Sequence, residues 1–176
     1  DGLVAGLRTA KPKAQKLIDL LSEWDCNLDE ESIGGTIYQV FLYTLVKNIV
    51  EPHLGSKLTD KYLGIGEHPL LIPVNELLGH STEAVIGIFQ NPNSKWVPSG
   101  NSAINIIEKS LVESCHWLEQ NMGYEPTDWK WGNIHKAEFH HSLSVKKPFD
   151  KVFNVGPFPI GGDTDTVHQS AYNPST

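Results

Sequence analysis

Trp129-Lys130-Trp131-Gly132-Asn133-Ile134-His135 is the stretch on which the reading of this chain turns. Two large indole rings flank a lysine, a glycine follows, and a histidine opens the segment behind them. From residue 134 to 143 the sequence alternates with period two. His135, Ala137, Phe139, His141 and Leu143 share one face, and Lys136, Glu138, His140 and Ser142 the other, which is the pattern of a strand. Buried indole and imidazole nitrogens require partners. The expectation is therefore structural: the rings plug a sheet edge, and an inward, mostly buried His135 tethers a neighbouring loop.

Downstream, residues 149–162 read as a proline- and glycine-rich crossing loop, followed by a last strand over 164–172. Gly161 and Gly162 should mark the turn into it, where a side chain would obstruct close backbone approach. Upstream the period changes to that of helices. A helix over 102–122 places Ile104, Ile107, Leu111, Cys115, Leu118 and Met122 on one stripe, with Gly123 as its stop. Pro12 opens a first helix carrying Ala14, Leu17, Ile18 and Leu21, which runs up to Trp24. Ser32 caps a second helix with Ile33, Ile37, Phe41 and Leu45 at steps of four, and Glu51-Pro52 is expected to end it. Short helices are expected at 56–62, 74–78 and 82–89, between turns at 64–66 and 91–93. The fold class is α+β, in one unit over residues 1–176: 1–123 mainly helical, 124–176 mainly strand and loop.

Composition supports an ordered core. At 176 residues a fold buries roughly 70% of its unfolded surface without metals or disulfides. Hydrophobic residues at 39% and charged residues at 20% exclude a disordered tail and a coiled coil. A net charge of −7 repels phosphate backbones, so nucleic acid is not an expected partner. The most apolar stretch, 33–50, carries Gln39, Lys47, Asn48 and a glycine pair, and reads as a buried helix rather than a membrane span. Met122 is the single methionine and the chain opens at Asp1, which suggests a processed product or a piece of something longer.

Each apparent site has a plainer structural reading. On a strand, His140 and His141 face opposite sides, and His135 lies ~20 Å from His141. Zinc needs its ligands at about 2 Å, so structural, hydrogen-bonded histidines are expected instead. Asp163-x-Asp165 opens like a calcium loop, but its glycine position falls on His168 and its glutamate position on Pro174. The two acids should instead bind local backbone amides. Cys115 and His116 are adjacent on a helix and do not face each other, so Cys115 reads as a core cysteine. Gly64-x-Gly66 lacks a third glycine, and neither a phosphate loop nor a nucleophile elbow occurs. Catalytic, cofactor-binding and metal-ligating residues are therefore all assigned as none, with no cofactor.

Three stretches nevertheless carry a family resemblance. The first is Leu17, Leu21 and Trp24-Asp25, continuing through Ser32 to Tyr38. The second is Trp129-x-Trp131-Gly132-x-x-His135 with Phe139-His140-His141-Ser142-Leu143. The third is Gly156-Pro157-Phe158-Pro159-Ile160-Gly161-Gly162-Asp163 with Thr166-Val167. Together they resemble the C-terminal part of the β chain of the penicillin acylase (penicillin amidase) family. The resemblance implies an N-terminal-nucleophile hydrolase whose strands belong to an αββα sandwich. A serine at the start of the β chain attacks an amide, with its own α-amino group as base. Substrates are N-acyl compounds, including penicillins and N-acyl homoserine lactones. Partners would be the remainder of the acylase, its α chain and upstream β segment; the compartment would be periplasmic or extracellular.

Here Asp1 stands at the start, and the Ser-Asn-x-Trp opening and the oxyanion asparagine have no matching positions. The expectation is a C-terminal fragment of an amide hydrolase, inactive when isolated and prone to self-association. The alternatives are a non-catalytic binding or scaffold module of the same fold, and a metal-dependent hydrolase using the histidines.

Overall fold

The computed structural model describes residues 7–63, 81–91, 93–97, 103–163 and 166–167. Helix α1 (Pro12–Ser22) starts at its proline and buries Ala14, Leu17, Ile18 and Leu21, the face its periodicity defines. Helix α2 (Ile33–Leu54) is capped by Ser32, whose Oγ accepts from the Gly35 N–H at 3.0 Å. It runs past Pro52, contrary to the sequence expectation. Pro52 costs the ladder its own N–H and crowds the carbonyl one turn back, but only two helical residues follow it. The stop is Gly55, whose φ of 72° no ordinary side chain favours and whose N–H closes on Glu51 O at 2.9 Å. Helices α3 (Ser56–Tyr62) and α4 (Ser81–Gln90) fall where short helices are expected. The expected helix at 74–78 and the Gly64–Gly66 turn lie outside the described residues.

Helix α5 (Ala103–Met122) ends before Gly123 at φ 103°. It packs against both α1 and α2, so its buried face is wider than one stripe. Ile106, Ser110 and Ser114 are buried with Ile107, Leu111, Cys115 and Leu118, whereas Ile104 is exposed. Ser110 and Ser114 donate to Ile106 O and Ser110 O one turn back, which satisfies their hydroxyls inside the core. One apolar core joins α1, α2 and α5, and Trp129 completes it.

Beyond a 3-10 turn at Pro126–Asp128 come α6 (Trp131–Ile134), β1 (Lys136–Phe139), a 3-10 turn at Ser142–Val145, α7 (Asp150–Phe153) and β2 (Val155–Pro159). The described residues are thus mostly helical with one small antiparallel sheet, an α+β chain. Lys136 pairs with Pro159, Ala137 with Phe158 and Phe139 with Val155. Two expectations are corrected here. The strand at 134–143 shrinks to four residues, because α6 takes its start and His141 caps a turn at its end by accepting from the Leu143 N–H. The supposed crossing loop supplies β2. Of the expected strand at 164–172, Thr166 and Val167 form a bend and the rest lies outside the described residues.

Between α1 and α5, Lys13 Nζ donates to Glu119 Oε2 at 2.5 Å, and Cys115 Sγ lies 3.6 Å from Glu119 Oε1. The Lys13 hydrogen bond holds Glu119 below the ordinary carboxylate range. Burial, and after it the Glu119 charge, push the Cys115 thiol up to about 11. At neutral pH that thiol is protonated and enclosed, while Cys26 is exposed. Native protein should therefore titrate one thiol with a disulfide reagent, and denatured protein two. Glu119 has a folded pKa below its unfolded one, so its stabilisation is complete at neutral pH. It is lost as pH falls below the usual carboxylate value of about 4.3 and through the folded value. Urea unfolding of Glu119→Gln across that range should show a flatter acid limb than the parent.

Candidate functional site

The tryptophan–glycine–histidine stretch sits where three segments meet: the 24–32 loop, residues 129–135, and residues 159–163. The loop is shaped from within. Asp25 Oδ1 accepts from the Asn27 N–H at 2.9 Å, Asp29 Oδ1 from the Glu31 N–H at 3.0 Å, and Ser32 Oγ donates to Asn27 O at 2.8 Å. Trp24 Nε1 donates to the same Asn27 carbonyl at 2.8 Å.

So held, the loop offers alternate carbonyls to the C-terminal segments. Leu28 O accepts from the Gly162 N–H at 2.6 Å, Glu30 O from Gly132 at 2.7 Å and Ser32 O from Trp131 at 3.1 Å. Such approach leaves no room for side chains. A Cβ on Gly132 would stand 2.8 Å from Pro159 Cβ and 2.9 Å from Glu30 Cβ. One on Gly161 would stand 2.9 Å from Leu28 O and 3.0 Å from Asp29 Cα. The expectation that Gly161 permits close backbone approach holds, with the loop between α1 and α2 as the neighbour.

The two indoles part company. Trp129 is completely buried in the helical core rather than at a sheet edge; its Nε1 donates to Gly123 O at 2.7 Å, and Lys16 Nζ lies 4.7 Å from the ring centre. Trp131 donates from Nε1 to Gly162 O at 3.0 Å and stacks on His135 with ring centres 4.7 Å apart. His135 is partly buried, and it tethers its neighbour twice. Its Nδ1 lies 3.1 Å from Ile160 O, while its own carbonyl accepts from the Ile160 N–H at 3.2 Å. A carbonyl only accepts, so Nδ1 carries the proton.

His140 and His141 serve the turn after β1. Asn154 bridges them: its Nδ2 is 3.1 Å from His140 Nδ1, and its Oδ1 accepts from the His141 N–H at 3.1 Å. His141 Nδ1 accepts from the Leu143 N–H at 3.1 Å, the opposite tautomer to His135. His116 Nδ1 lies 3.3 Å from Lys13 Nζ, so the neighbouring Cys115 and His116 turn to different partners. The Asp163 carboxylate accepts from the Gln39 side chain on α2, and this tie had no signal in the sequence. Asp165 and Gly64-x-Gly66 lie outside the described residues. Among the described residues, no three His, Cys, Asp or Glu side chains are grouped to hold a metal ion.

Chemically this junction fixes backbone against backbone. Its polar groups are engaged in structure, and its described side chains form no nucleophile–base pair. The junction clasps a hairpin to a helical core through glycines. The family model described as penicillin amidase matches residues 2–176, and the chain belongs to the penicillin amidase family. Among its relatives, the acyl-homoserine lactone acylase QuiP of Pseudomonas aeruginosa is 24% identical across 92% of this chain and 20% of its own length. Proteins of the same description from Pseudomonas fluorescens (strain Pf-5) and Pseudomonas syringae pv. syringae are 23% and 22% identical, over 93% and 91% of this chain. The chain spans about a fifth of the length of these relatives.

Two substitutions test the junction. Gly161→Ala should destabilise the chain by about 1–3 kcal/mol, since its Cβ meets backbone that cannot swing aside; an unchanged urea midpoint would contradict this. His135→Ala should lower the melting temperature by the loss of a hydrogen bond and a ring stack, about 1–2 kcal/mol. Melting equal to the parent would refute the tether.

Proposed function

We propose that this chain is the C-terminal part of the β chain of an amide hydrolase of the N-terminal-nucleophile type. One observation carries the reading: the family match runs the length of the chain, while the acylases it resembles are about five times longer. The nucleophile then lies on another part of the enzyme. A serine Oγ attacks the amide carbonyl, the serine's own α-amino group takes the hydroxyl proton, and the amine leaves with that proton. Water then releases the acyl group as a carboxylic acid.

The names of the relatives favour N-acyl homoserine lactones as substrates over penicillins. In the assembled enzyme, β1 and β2 contribute to the αββα sandwich. All five residues of β2 are exposed in this chain, which supports a sheet that continues into other strands. The role of residues 129–163 is to seat those strands on the helices.

The isolated chain should release no homoserine lactone from an N-acyl homoserine lactone above background, by mass spectrometry of the products. Protein made from its whole reading frame should do so. Turnover by the isolated chain, abolished by one substitution within it, would refute the assignment of the nucleophile elsewhere. A full-length protein inert toward both N-acyl homoserine lactones and penicillins would favour the scaffold module.

A further inference from the structure

Apolar side chains open to solvent are concentrated in one part of the described chain. Leu143, Val145, Phe149, Val152, Val155 and Phe158 are all exposed, Val145 at 88% and Val152 at 70%. Lys146, Lys147 and Lys151 stand among them, and Asp150 is the one acid between residues 139 and 162, in a chain of net charge −7. Asp150 Oδ1 is itself buried and has no hydrogen-bond partner among the described residues. A buried acceptor left without a donor is uncommon in a finished fold. A two-stranded sheet with an open apolar surface is also marginal by itself.

Resting on the reading above, we propose that residues 143–158 form the docking face for the remaining polypeptide of the acylase. The chemistry of that partner follows: an apolar centre for the valines and phenylalanines, an acidic rim for the three lysines, and a donor aimed at Asp150. Exposed apolar patches ringed by charge mark such interfaces. A second copy of this chain fits poorly, because an isologous contact would bring together two faces that each carry three lysines and one acid. The relatives, of which this chain is about a fifth, have ample polypeptide to cover the face.

The test co-produces this chain, affinity-tagged, with the upstream portion of its own reading frame as a separate polypeptide. The parent pair should co-purify. Val145→Glu with Val152→Glu, and separately Lys146→Glu with Lys147→Glu, should each reduce the recovered partner by about tenfold. Leu58→Glu, an exposed apolar position on α3, should leave recovery unchanged. Circular dichroism melting of each isolated variant should match the parent, which separates lost docking from lost folding. Full recovery with both double variants would overturn the proposal, as would no co-purification with the parent chain. Sedimentation showing that this face holds a dimer of the chain and excludes the upstream polypeptide would overturn it too. A complex that forms through this face yet hydrolyses no N-acyl substrate would count against the enzymatic reading alone.

Discussion

Backbone-to-backbone contact between the 24–32 loop and the C-terminal segments is the constraint on which the rest depends. Three N–H groups, of Gly162, Gly132 and Trp131, reach the carbonyls of Leu28, Glu30 and Ser32. Each bond contributes only about 0.5–1.5 kcal/mol net. Their importance is positional. They bring residues about a hundred or more positions apart into register and fix where the hairpin leaves the helices. Trp131 and His135 then brace the contact from the far side, through Gly162 and Ile160.

The two halves of the structure differ in how they are covered. The helices bury their apolar faces against one another, and Trp129 closes that core beside Gly123. The hairpin shares little of it: Ala137 is buried, whereas Phe139, Val155 and Phe158 are exposed. The chain, a member of the penicillin amidase family, spans about a fifth of the length of its relatives.

The helices were legible because their signals are local. Pro12, Ser32 and Gly123 mark boundaries by their own geometry, and the 3.6-residue period identifies the buried faces. The strand at 134–143 was legible in kind but not in extent. Period two says nothing about a histidine that prefers to cap a turn, as His141 does. Strand β2 was missed because its glycine and two prolines suit a loop equally well, and only its pairing with β1 decides. At the junction, the need for small residues at Gly161 could be read in advance, but the partner could not. Gln39 meeting Asp163 illustrates why: the two are brought together by the whole fold, and nothing in either neighbourhood announces the other.

The clasp also distributes chemical information unequally between its two sides. On the loop the hydrogen-bonding atoms are carbonyl oxygens, which every amino acid possesses, so the Glu30 bond depends on where the backbone runs and not on a carboxylate. On the opposite side the donors come with a steric demand that glycine alone meets at position 132, beside Glu30 and Pro159. One surface is encoded as a path and the other as an identity. The same contact can thus outlast change at loop positions whose side chains do not shape that path, so long as Asp25, Asp29 and Ser32 hold the loop and the short, glycine-bearing phrase that reads it is left intact.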